Sequence, residues 1–192
     1  MNILIIIGHP LKGSYNHALA KAFVAGASKK SNTVKTLDVS ELNLNLLMEG
    51  YKKEVHVSEA VAQAQELVSW ANHLVLVYPI WWSTMPALLK SFFEQVFVSG
   101  FAFTYQHSTK VVKWDKHLTG KSAQVISTMD APPWYYKYFA GDPGYGTVKG
   151  ILKFCGVKLK GRTYFGSVKM STEAQRKNWL AKAEKLGSKL SG

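Results

Sequence analysis

The feature that most constrains this chain is a repeated change of hydrophobic period along it. Asn2–Gly8 is a short continuous apolar run, the pattern of a strand covered on both faces. Asn16–Lys29 then sets Leu19, Ala22, Phe23 and Gly26 at spacings of three and four, which is an amphipathic helix. Thr33–Val39 reads as a second strand, and Ser58 as the N-cap of a helix that buries Val61, Ala64, Val68 and Ala71. His73–Ile80 is a third strand. It leads into a helix over Pro86–Val98, with Pro86 at the first helical position and Leu89, Phe92, Phe93, Val96 and Phe97 facing inward. Ser122–Thr128 is a fourth strand, followed by a short helix over Thr147–Phe154 and a fifth strand over Arg162–Val168. The last helix opens with the capping-box pattern Thr172-x-x-Gln175 and buries Trp179, Ala183, Leu186 and Leu190.

Strands alternating with helices predict an α/β fold. The expected form is a doubly wound five-stranded parallel sheet with helices on both faces, in one domain over residues 1–192. Such sheets bind ligands outside the carboxyl ends of the strands, at the switch point. The turns after Ile7, Ile80 and Thr128 are therefore the candidate functional loops.

Composition narrows the class. The chain is 47% hydrophobic and 19% charged, which excludes a disordered protein. Its single cysteine, Cys155, excludes an intramolecular disulfide framework and a multi-cysteine metal site, so no metal is expected. The N-terminus lacks the basic region and small-residue cleavage site of a signal peptide. No apolar run approaches the roughly 18 residues of a membrane span, and a cytoplasmic protein is expected. The net charge is +12, with eleven Lys and Arg against Glu173 and Glu184 from Thr147 onward. Such a field attracts anions: nucleic acid, anionic lipid or a phosphorylated cofactor. The lysines are scattered at helical spacing without a basic block, so a solvated basic face is the competing reading and nucleic-acid binding is not expected.

The first loop, Gly8 to Asn16, has neither the Walker pattern nor G-x-G-x-x-G. It still offers glycine, hydroxyl and amide groups and a helix N-terminus, which suit a phosphate. Ser14 and Asn16 can donate to it and His9 can pair with its charge, or Ser14 or Asn16 caps the helix instead. The second loop holds Trp81 and Trp82 after Tyr78-Pro79, where proline ends the strand. Two rings here can wall in a flat heterocycle, or can pack into the core or a subunit interface. The third, Ser127 to Gly146, is long and rich in aromatics, Pro and Gly, the mark of a functional loop. A phosphate cradle, an aromatic wall and an aromatic lid together suit a flavin nucleotide.

Several motifs then occur in order. They are His9-Pro10 with Ser14-x-Asn16, Pro79-Ile80-Trp81-Trp82 with Met85-Pro86-Ala87-Leu88-Leu89-Lys90, Gly100-Phe101-Ala102-Phe103-x-Tyr105, and Gly150-Ile151-Leu152-x-Phe154-Cys155-Gly156. In these the chain resembles the NAD(P)H:quinone oxidoreductase family of flavodoxin-like fold, from Ile3 to about Val168. The resemblance implies a flavin, usually FAD and in some members FMN, with NADPH or NADH as electron donor. It also implies a homodimer with active sites at the subunit interface, and two-electron reduction of quinones. His9, Ser14, Tyr15 and Asn16 fall where the family binds the flavin phosphate. Pro79, Ile80, Trp81 and Trp82 fall where it holds the isoalloxazine ring. After the fourth strand this chain reads Thr128-Met129-Asp130 where members often read Thr-Gly-Gly, which sets Met129 and Asp130 beside the flavin position, with the Asp130 carboxylate either near the ring or pointing away. Tyr135 aligns with the family's active-site tyrosine, with Tyr136 and Tyr138 as rivals, and no histidine follows His117 to fill the histidine role.

Two further expectations stand beside the enzyme. The family includes ancillary flavoprotein subunits of potassium efflux systems, so a membrane-transporter partner is the alternative to a quinone-like acceptor. The sequence ends soon after the last helix, without the C-terminal extension of some FAD-binding members. That leans toward FMN, while the family favours FAD.

Overall fold

The computed structural model describes residues 1–46, 50, 58–106 and 111–190. The opening apolar run forms β1 (Asn2–Ile7), in which every residue from Ile3 onward is buried. The chain continues through α1 (Tyr15–Ala27), β2 (Thr33–Asp38), α2 (Glu59–Trp70), β3 (His73–Pro79) and α3 (Ala87–Val96). A hairpin of β4 (Phe103–Gln106) and β5 (Lys113–Lys116) follows, then β6 (Ser122–Thr128), α4 (Pro133–Tyr138), α5 (Pro143–Phe154), β7 (Lys158–Phe165) and α6 (Glu173–Ser188). Among the described residues five strands pair in parallel in the order β2-β1-β3-β6-β7. The expected doubly wound sheet is the observed one.

The period of two within the strands divides the core. Leu4, Ile6, Leu74, Leu76 and Tyr78 face α2, α3 and α5, whereas Ile3, Ile5, Val75 and Val77 face α1 and α6. Because both faces are covered, the strands show no polar side and read as unbroken apolar runs. On the second face two glycines let the helices meet at backbone distance. A Cβ on Gly26 would lie 1.9 Å from the Glu184 carbonyl oxygen, and one on Gly187 would lie 2.2 Å from that of Phe23. Cys155 is buried at the C-cap of α5, and burial pushes its thiol up to about 11, so it serves as a small core residue.

Element ends differ from the sequence reading where turn chemistry decides them. Pro86 is the N-cap of α3 and not its first helical residue, because its extended ψ of 151° ends the preceding turn. The helix expected from Thr147 starts at Pro143, where proline's fixed φ opens the first turn after left-handed Asp142. The last strand runs over Lys158–Phe165 and stops before Gly166 and Ser167, the latter with φ 54°. It is an edge strand with polar residues at its start, which hid that start from a search for apolar runs. The capping box at Thr172 and Gln175 forms in both directions, and Ala183 is buried while Trp179, Leu186 and Leu190 pack partly buried beside it. Among the described residues no helix is long and apolar enough to cross a membrane, and no cluster of His, Cys, Asp and Glu could hold a metal.

Candidate active site

The order β2-β1-β3 puts a topological switch between the carboxyl ends of β1 and β3. Three loops meet there around an open groove of about 170 Å³. Loop one contributes His9, Tyr15 and Asn16, loop two Pro79, Ile80 and Trp81, and loop three Thr128, Met129 and Asp130. Val168, from the turn after β7, completes the lining and was not singled out by sequence, where it reads as a strand residue. Ser14, Trp82 and Tyr135 do not line the groove.

Loop one is held from below. Asn16 is buried, and its side-chain amide donates to Thr128 Oγ1 at 3.0 Å, which ties α1 to the end of β6. Ser14 stands at the N-cap of α1, yet its hydroxyl does not cap. It lies 2.8 Å from His17 Nδ1, and His17 Nε2 lies 2.8 Å from Asp38 Oδ2 at the end of β2. The first-turn amides of α1 are left without a side-chain acceptor, an arrangement that favours an incoming anion. Burial pushes Asp38 up, but hydrogen bonds from His17 and Ser40 outweigh it and hold the carboxyl below its usual range. His9 Nδ1 accepts from the Leu11 amide at 3.0 Å, and burial, aided by nearby His17, lowers its pKa. Tyr15 donates to the Arg176 carbonyl at 2.8 Å, which fixes its ring against Trp179.

Loop two is a tight turn. Ile80 N donates to the Thr128 carbonyl at 2.7 Å, and Trp81 and Thr84 exchange backbone bonds of 2.8 and 3.0 Å. Trp82 and Ser83 close this turn at φ 46° and 66°, left-handed values that L-residues hold only when neighbours fix them. The turn separates the two indoles. Trp81 sits edge-on to His9 with centroids 5.3 Å apart, whereas Trp82 is 100% exposed. Of the two tryptophans that stand out in the sequence, only Trp81 walls the groove.

Loop three contains α4, whose six residues are too few to show a helical period in the sequence. Tyr135 is half exposed and stacks on Phe139, with centroids 6.0 Å apart and rings 7° from parallel. Tyr138 is exposed as well, but Tyr136 is buried. Its phenol donates to the Ser83 carbonyl at 2.8 Å and accepts from the Gly144 amide at 2.8 Å. One oxygen thus joins the tryptophan turn, α4 and the start of α5. Glycine is required at 144, because a Cβ there would lie 2.6 Å from that phenol oxygen. Tyr136→Phe leaves the Gly144 amide and Ser83 carbonyl without this partner and is expected to cost about 1–3 kcal/mol. Urea denaturation measures the loss, and hydrogen exchange should show Gly144 and Thr84 amides deprotected while those of β3 are unchanged.

The unusual Met129-Asp130 pair leaves the groove open. Met129 is 5% exposed, and its amide donates to the Phe165 carbonyl at 2.9 Å. Asp130 accepts from the Lys169 amide at 3.2 Å, with Lys169 Nζ 3.5 Å from its other oxygen. Its charge is therefore turned to the β7–α6 connection and partly offset there. A flat, phosphate-bearing cofactor fits this lining, since uncapped helix amides and an aromatic edge converge with no unpaired carboxylate among the described residues.

Residues 1–190 match a family model for the flavodoxin-like fold. The chain belongs to that family. A Haemophilus influenzae protein named as an uncharacterized NAD(P)H oxidoreductase is 26% identical over 99% of this chain and 96% of its own length. Rat NAD(P)H dehydrogenase [quinone] 1 is 26% identical over 81% of this chain and 65% of its own length, so the match leaves about a third of that protein uncovered. Among solved structures, Smu.1420 from Streptococcus mutans superposes with a TM-score of 0.81 at 32% identity, covering 99% of this chain and 100% of that one.

Proposed function

We propose that this chain is a flavin-dependent NAD(P)H oxidoreductase that reduces quinones or related aromatic acceptors. The observation that carries the reading is the meeting of the three edge loops at one groove, in a chain similar to named NAD(P)H-dependent reductases. His9, Tyr15 and Asn16 are the proposed phosphate side of the site, with the uncapped amides of α1 as donors, and Ser14 joins them by exchanging His17 for the phosphate. Pro79, Ile80 and Trp81 with Thr128, Met129 and Asp130 are the proposed ring side. When bound, a flavin supplies the two-electron chemistry between NADH or NADPH and the acceptor.

The protein's part is to hold and orient. Trp81 presents an aromatic wall, the amides of Ile80, Trp81 and Met129 are bonded to the carbonyls that fix loops two and three, and the buried Asn16–Thr128 bond keeps loops one and three at constant separation. Tyr135 is the candidate proton donor to the acceptor. Its half-exposed side chain on α4 lies outside the groove lining and makes no phenol hydrogen bond among the described residues, whereas the phenol of Tyr136 is committed to two backbone partners. Trp82, Trp134, Tyr135, Tyr138 and Phe139 form a set of exposed rings on loops two and three, which supports a homodimer closing over the groove. The relatives reported above add no support for an ancillary transporter subunit.

The test is a visible spectrum of the purified protein, before and after anaerobic NADPH and then a quinone. Flavin bands that bleach and return support the reading, bands that do not bleach leave a binding role without this activity, and protein that retains neither FMN nor FAD after reconstitution sinks it. Extraction and chromatography of the bound group identify FAD or FMN. Trp81→Ala is expected to weaken flavin binding about tenfold, the worth of one aromatic wall. Trp82→Ala should change it little in a monomer; fluorescence titration of apo-protein measures both.

A further inference from the structure

The cofactor groove occupies the carboxyl edge of the sheet, and a second groove lies at the opposite edge. It has a volume of about 450 Å³, within the size range of small-molecule sites. Its floor includes buried Val157 and partly buried Leu159, and its walls carry Lys116 from the end of β5, Lys149 and Lys153 from α5, and Lys158 from the start of β7. Among the described residues no carboxylate lines it.

The lining sets this groove apart more than the pairing of any one lysine does, since among the described residues Lys21, Lys30, Lys185 and Lys189 also lie outside it without a carboxylate partner. Elsewhere Lys12, Lys29, Lys90, Lys169 and Lys177 each lie within 4 Å of a carboxylate. Among the described residues none of the four groove lysines does, nor does any of their ammonium groups make a hydrogen bond. Asp115, the acid beside Lys116, accepts instead from Gln106 at 2.8 Å.

The groove also lies at the C-terminal end of α5, where lysines are ordinarily explained by free carbonyls. Here those carbonyls are taken. Ile151 O accepts from Cys155 N at 3.3 Å, Leu152 O from Val157 N at 2.8 Å and Lys153 O from Gly156 N at 3.2 Å. Phe154 O accepts from Trp114 Nε1 at 2.9 Å, and Cys155 O from Leu118 N at 3.1 Å. The ammonium groups are therefore not held at the helix end by hydrogen bonds, and only the field of the helix C-terminus favours them there. Four exposed lysines thus surround one concave apolar floor, Lys116 with its ammonium 5.6 Å from the centre of the Trp114 ring, and their summed charge favours a bound polyanion.

We propose that this groove is a second ligand site, for a small molecule carrying adjacent phosphates, of the size of a nucleoside di- or triphosphate. The inference rests on the lysine groove alone and stands or falls independently of the flavin reading.

Calorimetric titration of the full chain, flavin-loaded where flavin is retained, with inorganic triphosphate and with ATP tests it at about 0.15 M salt, where long-range attraction is largely screened. Micromolar binding is expected. Lys149→Glu/Lys153→Glu should weaken it by at least tenfold, roughly the worth of two charges reversed at close range, and Lys149→Arg/Lys153→Arg should restore it. Lys21→Glu/Lys30→Glu, exposed on α1 and in the turn that follows it, makes the same change in net charge and should weaken binding by less than about threefold. Equal weakening by the two reversals would mean attraction by the whole molecule, and wild-type binding no tighter than millimolar would mean no site; either overturns the proposal.

Discussion

Asp142→Ala is expected to destabilise the protein by about 3 kcal/mol, the cost of leaving a shielded charge without its partner. Asp142 is 7% exposed and stands in the left-handed region at φ 53°, between α4 and α5. Arg162 Nε of β7 lies 2.6 Å from its Oδ2, a charge contact more than an aligned hydrogen bond, and the Tyr164 phenol donates to Oδ1. Burial, and then the bond to Asp142, raise the Tyr164 pKa, so the phenol stays a donor throughout the working pH range. The Arg162 guanidinium also lies 4.2 Å from the centre of the Tyr145 ring on α5. One carboxylate thus fastens the segment between the two helices to the edge strand. Asp142→Asn keeps an acceptor for Tyr164 and tolerates the left-handed backbone, so its loss should be about half as large. Arg162→Met in the Asp142→Ala background should recover part of the loss, because it removes the stranded charge. Urea midpoints of these proteins, with Arg162→Met alone to complete the cycle, measure the coupling; an alanine variant within about 0.5 kcal/mol of wild type would show the latch to be energetically idle.

That latch marks where the sequence was legible and where it was not. The buried strands could be read because helices on both faces demand continuous apolar runs, as at Asn2–Gly8 and Ser122–Thr128. The groove was legible for a related reason: the ends of those strands fix which loops can meet. Nine of the twelve expected site residues line it. The exceptions are instructive. Trp82 is turned out by a left-handed turn whose partner, the Tyr136 phenol, lies 53 residues away in sequence. Ser14 is spent on His17, which is in turn held by Asp38 from another strand. Contacts such as these join polar residues across long separations, and no local period announces them. Tyr136 and Tyr135 are adjacent and chemically identical, and only the pitch of α4 buries one and exposes the other. The hairpin β4–β5 was missed because its strands of four residues each carry little alternation.

The second large effect is a loss of stability in mild acid, traced to His73. This first residue of β3 is 1% exposed; its Nδ1 lies 2.8 Å from Ser122 Oγ of β6, and its Nε2 has no partner. Burial, and then the Lys160 cation of β7, push its pKa from 6.5 down to about 4. The sign follows from proton binding. Between about pH 6.5 and pH 4 the unfolded chain takes up a proton at this histidine that the folded chain refuses. Stability present at neutral pH is therefore lost as pH falls through that window, reaching about 3 kcal/mol near pH 4. Other groups also titrate: His9 is lowered and acts in the same direction, while the depressed Asp38 matters mainly below the usual carboxylate range. A comparison of variants isolates the His73 share. His73→Gln keeps a polar partner for Ser122 but cannot take the proton, so its unfolding free energy should fall less between pH 7 and pH 4.5, by about 2 kcal/mol. Parallel pH profiles for the two proteins would mean that the imidazolium is accommodated in the folded strand, by water reaching Nε2 or by Lys160 moving away.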